Sequence, residues 1–501
     1  MSEAYDVVVI GAGLGGLSAA AFLAKKGLSV LLAERHHAPG GYASTFVRGR
    51  FEFEVSLHEL SGMDPEAKKG GLYHYLEWLG VTRKVKFIKL KTLYKSVFPD
   101  LEITLPVGRE EVERVLSEHF PHESEGIHRI FDRIFLTYKA LAMLQKGASE
   151  LTQEFLRSNL LDYMDKTWGE VLNNDVKDPK ARAVISQLWG YFGLPPSRIS
   201  YIFHAIGLAS YVKLGPTQVK GKSQALSNAF VDVIEEAGGE VRLGCGVSKI
   251  LVEEGRVSGV VTDQGEEVRA KYVVSNVNPI TVCKELIGTD KVPESYLERL
   301  NSSELAPSTI NVYMGLDCPY TELGVDEFET FLNEDYDYDR QFEKAWTLEP
   351  PGSMSVTTYN LADPDFSPPG TSVVVLTTLS YADPWLRLNP REYYEAKTGI
   401  AEKMIEQAEK VAPGLREHIE VVEVATPITN IRYTGNYGGS IYGFNQTPKD
   451  NMLIRLPHEG PIRGLYFAGA WTQPGGGYEP CILSGSMAAQ KLLSSMEKEG
   501  K

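Results

Sequence analysis

Gly11, Gly13 and Gly16 stand as G-x-G-x-x-G directly after an apolar run that ends at Ile10, and a helical pattern follows at once. Each glycine has its own physical role. The first permits a tight turn, the second admits a pyrophosphate to the backbone, and the third lets a helix pack close to a sheet. The N–H groups at the helix start face that phosphate. Glu34 closes the next apolar run, Leu28 to Ala33, where a carboxylate accepts hydrogen bonds from an adenosine ribose. A glycine-rich turn alone is common. With its strand, helix and acid it predicts a dinucleotide site. The paired Gly40-Gly41 again allows a close backbone approach to a ligand. The neighbouring His36-His37 gives no closed ligand set, so no metal site is expected.

The elements that must position these residues follow from periodicity. Residues 5–34 form the β-α-β unit, its helix spanning about 17–26 and ending at Gly27. Gly49 to Val55 alternates like a β-ribbon. Residues from about 65 to 215 are mostly helical in pattern, with helices expected over 110–119, 123–144 and 170–192. An amphipathic helix from Ser223 to Gly238 leads into a meander of strands at 240–243, 247–253, 257–262 and 267–275. Further strands are expected at 309–316, 353–360 and 371–381, a helix at 390–411, and a solvated acidic loop at 333–339. The chain ends in strand, glycine-rich loop and helix, at Gly464 to Gly469, Pro474 to Tyr478 and Ile482 to Glu497. This layout predicts a nucleotide domain built from residues 1–65, 216–290 and 426–501, with 66–215 and 291–425 forming a substrate-facing domain.

The composition bounds the function. The chain has 501 residues, 43% hydrophobic and 23% charged, as expected of a globular protein with a large core. A formal net charge of −15 argues against nucleic acid as a partner. Cys245, Cys283, Cys318 and Cys481 have spacings that suit neither zinc nor a disulfide framework, so reduced thiols and a cytoplasmic location are expected. The chain enters its first strand almost immediately, leaving no room for a signal peptide, and no uncharged run is long enough to span a bilayer.

Three blocks carry a family resemblance: Val7 to Phe46, Glu240 to Pro279, and Gly464 to Ala489. Together they resemble the flavin-containing phytoene desaturases, carotenoid isomerases and retinol saturases, which share a cofactor fold with flavin amine oxidases. The run Leu465 to Gly477 is the most discriminating, with an alanine after the strand-end glycine and a Pro-Gly-rich loop next. Phe51 to His58 also looks like the retinol saturase pattern. The resemblance implies an α/β fold with a Rossmann-like FAD-binding domain, of the amine oxidase and glutathione reductase-2 type, carrying an inserted α+β substrate domain. It implies FAD as cofactor and a hydrophobic isoprenoid as substrate, with desaturation, saturation or cis-trans isomerisation as the reaction. Quinone or oxygen is then the candidate electron acceptor, and the helical segment is a candidate for peripheral membrane contact.

Residue by residue, the resemblance places Gly11, Gly13 and Gly16 at the pyrophosphate, Glu34 at the ribose and Arg35 alongside the adenosine. Gly40 and Gly41 would pass the diphosphate and ribityl chain, and Val247 would pair its backbone with adenine. Gly469 and Ala470 would meet the ribityl–phosphate region, and Gly477 to Ile482, including Tyr478, would approach the isoalloxazine. Candidate catalytic residues are His58, Tyr478 and Glu479. Each also has a plain structural reading, as a core histidine, a packed tyrosine and a paired acid. Two departures, Lys220-Gly221-Lys222-Ser223 before the helix and Tyr478-Glu479-Pro480-Cys481 at the flavin edge, fall where the reaction is decided. Two rivals stay open. One is a flavin amine oxidase, for which Trp471 and Tyr478 imitate an aromatic cage. The other is a non-catalytic prenyl-lipid-binding relative, against which the intact glycine set argues.

Overall fold

The computed structural model describes residues 4–499. Two seven-stranded sheets organise it. In the first, the strand Ala4–Ile10 lies between Val30–Ala33 and Glu267–Ser275, parallel to both, and Glu240–Arg242 extends the parallel edge. Glu267–Ser275 changes partner along its length. Its start pairs antiparallel with Arg256–Thr262, and its end pairs parallel with Leu465–Phe467. Ile10, Ser275 and Phe467 are therefore level at the carboxyl edge of the sheet, where a parallel α/β sheet offers its ligand crevice. All of the helix Leu14–Lys25 except Lys25 is buried, the mark of an element packed on every side. The helices Lys222–Glu236 and Tyr478–Glu499 cover it.

The second sheet runs Ile419–Ala425, Ser308–Leu316, Ser372–Ser380, Ser353–Thr358, Glu329–Asn333, Thr92–Phe98 and Leu101–Pro106. Its pairings are antiparallel except for Glu329–Asn333 with Thr92–Phe98. Alternation along the strands sorts two faces. Val312, Met314, Val356 and Leu376 pack against Ile400, Met404 and Ile405 of the helix Pro390–Ala408, while Thr309, Asn311, Ser355 and Thr377 face an internal cavity. Helices between Arg109 and Leu214 close the far side of that cavity.

Two expectations need correction. The helix expected over 170–192 is three helices, Trp168–Asp175, Pro179–Ile185 and Trp189–Phe192. Pro179 cannot continue a helix from the preceding residues, and Asp178 restarts one by accepting from the N–H groups of Lys180 and Ala181. The 333–339 segment is only in part a solvated loop: Glu334, Asp337 and Asp339 are exposed, but Asn333 and Tyr338 are buried. Asn333 ends a buried strand, and buried Tyr338 begins a short helix, donating to Ala183 O and Gln187 Oε1 at 3.0 Å each. Acid content misleads there, because the tyrosines anchor the segment. Among the described residues no helix is long and apolar enough to cross a membrane.

Candidate active site

One cavity of about 1790 Å³ runs from the glycine loop into the space between the second sheet and the helices. Ligand pockets are commonly about 300–1,000 Å³, so this volume has room for a dinucleotide and a second large molecule. At its first end Gly11, at φ +91°, makes the turn that only glycine adopts freely. A Cβ on Gly16 would lie 2.0 Å from Gly11 O, one on Gly13 2.4 Å from Asn276 Nδ2, and one on Gly15 2.6 Å from both Asn276 Oδ1 and Gly469 N. Gly16 N donates to Asn276 Oδ1 at 3.1 Å. Asn276, just past the strand end, is thus the prop beneath the loop. Sequence reasoning passes over it, although its place directly after an apolar strand level with Ile10 is a usable signal.

Glu34 accepts from Ala12 N at 2.6 Å through one oxygen and from His36 N at 2.8 Å through the other. An ionised carboxylate has about four acceptor positions, so two remain for ribose hydroxyls, and the residue fits an adenine dinucleotide. Gly40 N donates to Ala12 O at 2.7 Å and brings Gly40-Gly41 alongside Gly13. Arg35 donates to Tyr433 O at 3.3 Å over Gly435, and Val247 lines the same limb. The rings of His36 and His37 meet at a tilt of 33° with centroids 4.2 Å apart, and burial holds His36 below its ordinary pKa. Ala470 and Gly477 line the cavity, whereas Gly469 serves the packing, its N–H donating to Ser484 Oγ at 2.9 Å. Ile482 does not line the cavity. Its side chain is fully buried in the nucleotide-side core and its carbonyl accepts from Ser18 Oγ at 2.6 Å.

The second end is walled by Trp189, Tyr191, Phe192, Phe203, Phe331 and Leu379. His58 sits on this wall and is held by three partners. Nδ1 lies 3.2 Å from Glu329 Oε1 and 2.7 Å from Thr357 Oγ1, and Nε2 lies 3.2 Å from Thr377 Oγ1. Thr357 donates in turn to Glu329 Oε2 at 2.6 Å. Glu329 and Thr357 come from the second sheet, remote in sequence, and nothing local in the chain announces them. Tyr478 faces the cavity with its ring, but its hydroxyl is tied into a network with Ser223 Oγ at 2.8 Å and Ser56 Oγ at 3.1 Å. Glu54, whose carboxyl is raised by burial, accepts from both the N–H and the hydroxyl of Ser223. Tyr478 therefore holds the Lys222–Glu236 helix start against the 42–57 segment. Glu479 accepts from Ser61 Oγ at 2.5 Å and rests on Gly62, where a Cβ would lie 2.2 Å from the carboxyl carbon. Burial raises its pKa, favouring the protonated form.

Outside the cavity, Asp317, Cys318 and His418 bring one ligand atom each within 4.8 Å of one another, and His418 Nδ1 already meets Asp317 Oδ1 at 2.9 Å.

Comparison with known proteins adds four findings. Residues 14–493 match the model for flavin-containing amine oxidoreductases. A chloroplastic prolycopene isomerase 1 of an Oncidium hybrid cultivar is 28% identical, over 100% of this chain and 86% of the relative. The all-trans-retinol 13,14-reductase of Danio rerio is 25% identical, over 93% and 82%. Among solved structures, putrescine oxidase superposes with a TM-score of 0.65 at 18% identity, covering 99% of this chain and 100% of that one, a likeness of fold.

Proposed function

Since the chain belongs to the family of flavin-containing amine oxidoreductases and is an FAD-dependent oxidoreductase, we propose that it acts on C–C or C=C bonds of a carotenoid- or retinoid-like isoprenoid. The observation that carries this reading is the continuous cavity of about 1790 Å³ that joins the glycine loop to a chamber walled by aromatic and apolar side chains. The full-length similarity to a prolycopene isomerase and a retinol reductase supports it. On this reading residues 1–65, 216–290 and 426–501 hold the cofactor, and 66–215 and 291–425 hold the substrate.

Bound flavin supplies reversible hydride transfer at its N5. The chain does the rest. Gly11, Gly13, Gly40 and Gly41 bring backbone to the pyrophosphate, and Glu34 fixes the ribose. Phe192, Phe203, Phe331 and Leu379 hold an apolar chain straight and exclude water. Glu479 Oε1, on a carboxyl whose other oxygen is held by Ser61, is placed to give or take the proton that accompanies a hydride. His58 and Glu329, bound to each other and to two threonines, keep the chamber floor rigid.

Leu144 and Met487 both line the cavity and are 43% and 37% exposed, so they mark a mouth between the helices Ser124–Lys146 and Tyr478–Glu499. Exposed Leu136 with Lys139, Lys146 and Lys213 borders it. We assign this rim to peripheral contact with a lipid surface, from which an isoprenoid would enter.

The test is anaerobic mixing of oxidised holoprotein with polyenes and their saturated counterparts in liposomes, following flavin absorbance and product mass together. Bleaching with loss of two hydrogens means desaturation. Turnover only after prior reduction means saturation when mass rises and isomerisation when it does not. Bleaching by amines with no response to any polyene would sink the proposal. Reoxidation by quinone or by oxygen then identifies the acceptor.

A further inference from the structure

Next to His58, the cavity holds a carboxyl that the fold does not use. Glu59 lines the chamber beside Tyr191 and Tyr211. Its main-chain carbonyl accepts from the Tyr211 hydroxyl at 3.0 Å. Both of its carboxyl oxygens are buried and have no hydrogen-bond partner among the described residues, and neither has the Tyr191 hydroxyl on the same wall. Buried polar atoms left unmet cost stability, and native proteins rarely keep them without a reason.

The surroundings define what would meet them. Tyr94, Tyr191, Tyr211 and Glu329 are the titratable groups whose fields reach Glu59. Glu329 is already committed to His58 and Thr357. Burial, and then the Glu329 charge, pushes the Glu59 carboxyl well above the ordinary carboxylate range, so it stands as a neutral acid. A neutral carboxyl offers one O–H donor and one strong acceptor side by side. An alcohol answers both, giving its proton to the carbonyl oxygen and accepting from the O–H. A carboxylate ligand would be repelled by Glu329. A hydrocarbon would leave all three atoms unmet.

We infer that Glu59 and Tyr191 form a receptor for a hydroxyl group, so that the chamber takes a hydroxylated isoprenoid in preference to the hydrocarbon of the same skeleton. The inference rests on the isoprenoid reading proposed above.

Calorimetric binding to the holoprotein in detergent tests it with three probes: geranylgeraniol, the hydrocarbon in which a methyl group replaces its CH2OH, and geranylgeranylamine. The alcohol should bind wild type about tenfold tighter than the hydrocarbon, a difference of about 1.4 kcal/mol. Glu59→Leu should abolish that preference. Glu59→Gln, whose amide keeps a donor and an acceptor, should retain it to within about threefold. Circular dichroism and flavin content confirm that each variant folds, and the wild-type ratio decides even where Glu59→Leu does not. Equal binding of alcohol and hydrocarbon to wild type, or an undiminished preference in folded Glu59→Leu, overturns the hydroxyl receptor and leaves the isoprenoid reading standing. Tighter binding of the amine than the alcohol overturns it in favour of an ionised Glu59. Failure of both the alcohol and the hydrocarbon to bind overturns the isoprenoid reading and this inference with it.

Discussion

The two ends of the cavity solve opposite problems. At the glycine loop the polar groups are paired within the protein: Gly16 N to Asn276, Ala12 N and His36 N to Glu34, and Gly469 N to Ser484. What the loop offers a ligand is shape, the N–H groups at the start of the Leu14–Lys25 helix, and the spare lone pairs of Glu34. At the chamber floor, Glu59 and Tyr191 are left without partners, while His58 and Glu329 are pinned in place. The first end is built for the cofactor, and the second, on the inference above, for the hydroxyl of a substrate. Tolerance to substitution should therefore differ. Steric change should be fatal at the loop, and removal of charge or hydrogen bonding should dominate at the floor.

The sharpest way to break that contrast is Gly16→Ala. Its Cβ would lie 2.0 Å from Gly11 O, a backbone atom that cannot swing aside. Overpacking of this kind costs about 1–3 kcal/mol. FAD affinity should fall by about ten- to a hundredfold, read from flavin absorbance per protein after dialysis. Retained yellow protein would show that the loop yields. Next is His58→Ala. It strips one of two partners, Thr357 being the other, from a Glu329 side chain with 0% exposure. Stability should drop by about 1–3 kcal/mol in urea unfolding, with flavin content nearly unchanged at low denaturant. A loss confined to flavin content would reverse the assignment of His58 to the floor.

Asn276→Ala leaves Gly16 N unmet behind the loop and should cost about 1–2 kcal/mol, felt as weaker FAD retention. The smallest effect at neutral pH concerns His204, in the chamber's helical wall. It has 0% exposure, stacks on Trp168 at 4.3 Å, and is held by burial at a pKa of about 3. The unfolded chain takes up the proton near the ordinary value of about 6.5 and the folded chain does not. Stability is therefore fully present above about 6.5 and declines as pH falls toward about 3, by up to about 1.4 kcal/mol per unit. His204→Phe should flatten that decline in thermal melts at pH 5. An unaltered acid limb would mean that His204 is not the group responsible.

What can be read from the sequence follows the same division. The glycine loop, Glu34, the strands of the first sheet and Ser308–Leu316, Ser353–Thr358 and Ser372–Ser380 of the second are legible because each depends on neighbours a few residues away. Thr92–Phe98, Leu101–Pro106, Glu329–Asn333 and Ile419–Ala425 pass unread, the first two inside a stretch expected to be mostly helical. The alternation of Ser308–Leu316 and Ser372–Ser380 marks strands, but not which polar face turns inward. His58 is legible as a candidate, and Glu59 beside it is not, because an acid next to a histidine has no meaning until Glu329, Tyr191 and Tyr211 surround it. Tyr478 reads as chemistry in the sequence. Its hydroxyl belongs to a network with Ser56 and Ser223 that no local pattern reveals. Ile482 is carried along by its place in the motif, but a helix turns it into the core.

The Tyr478–Glu499 helix has a consequence for how the protein is made. A Cβ on Gly485 would lie 2.2 Å from Gly15 O, and Gly469 packs against Gly15 from the other side. The nucleotide loop at Gly11 to Gly16 lies far ahead in the chain of the residues that form its back wall, 465–499. A nascent chain stalled before that point presents the phosphate turn without its support. Firm cofactor retention is therefore expected only once the Tyr478–Glu499 helix has been made and has packed behind the loop.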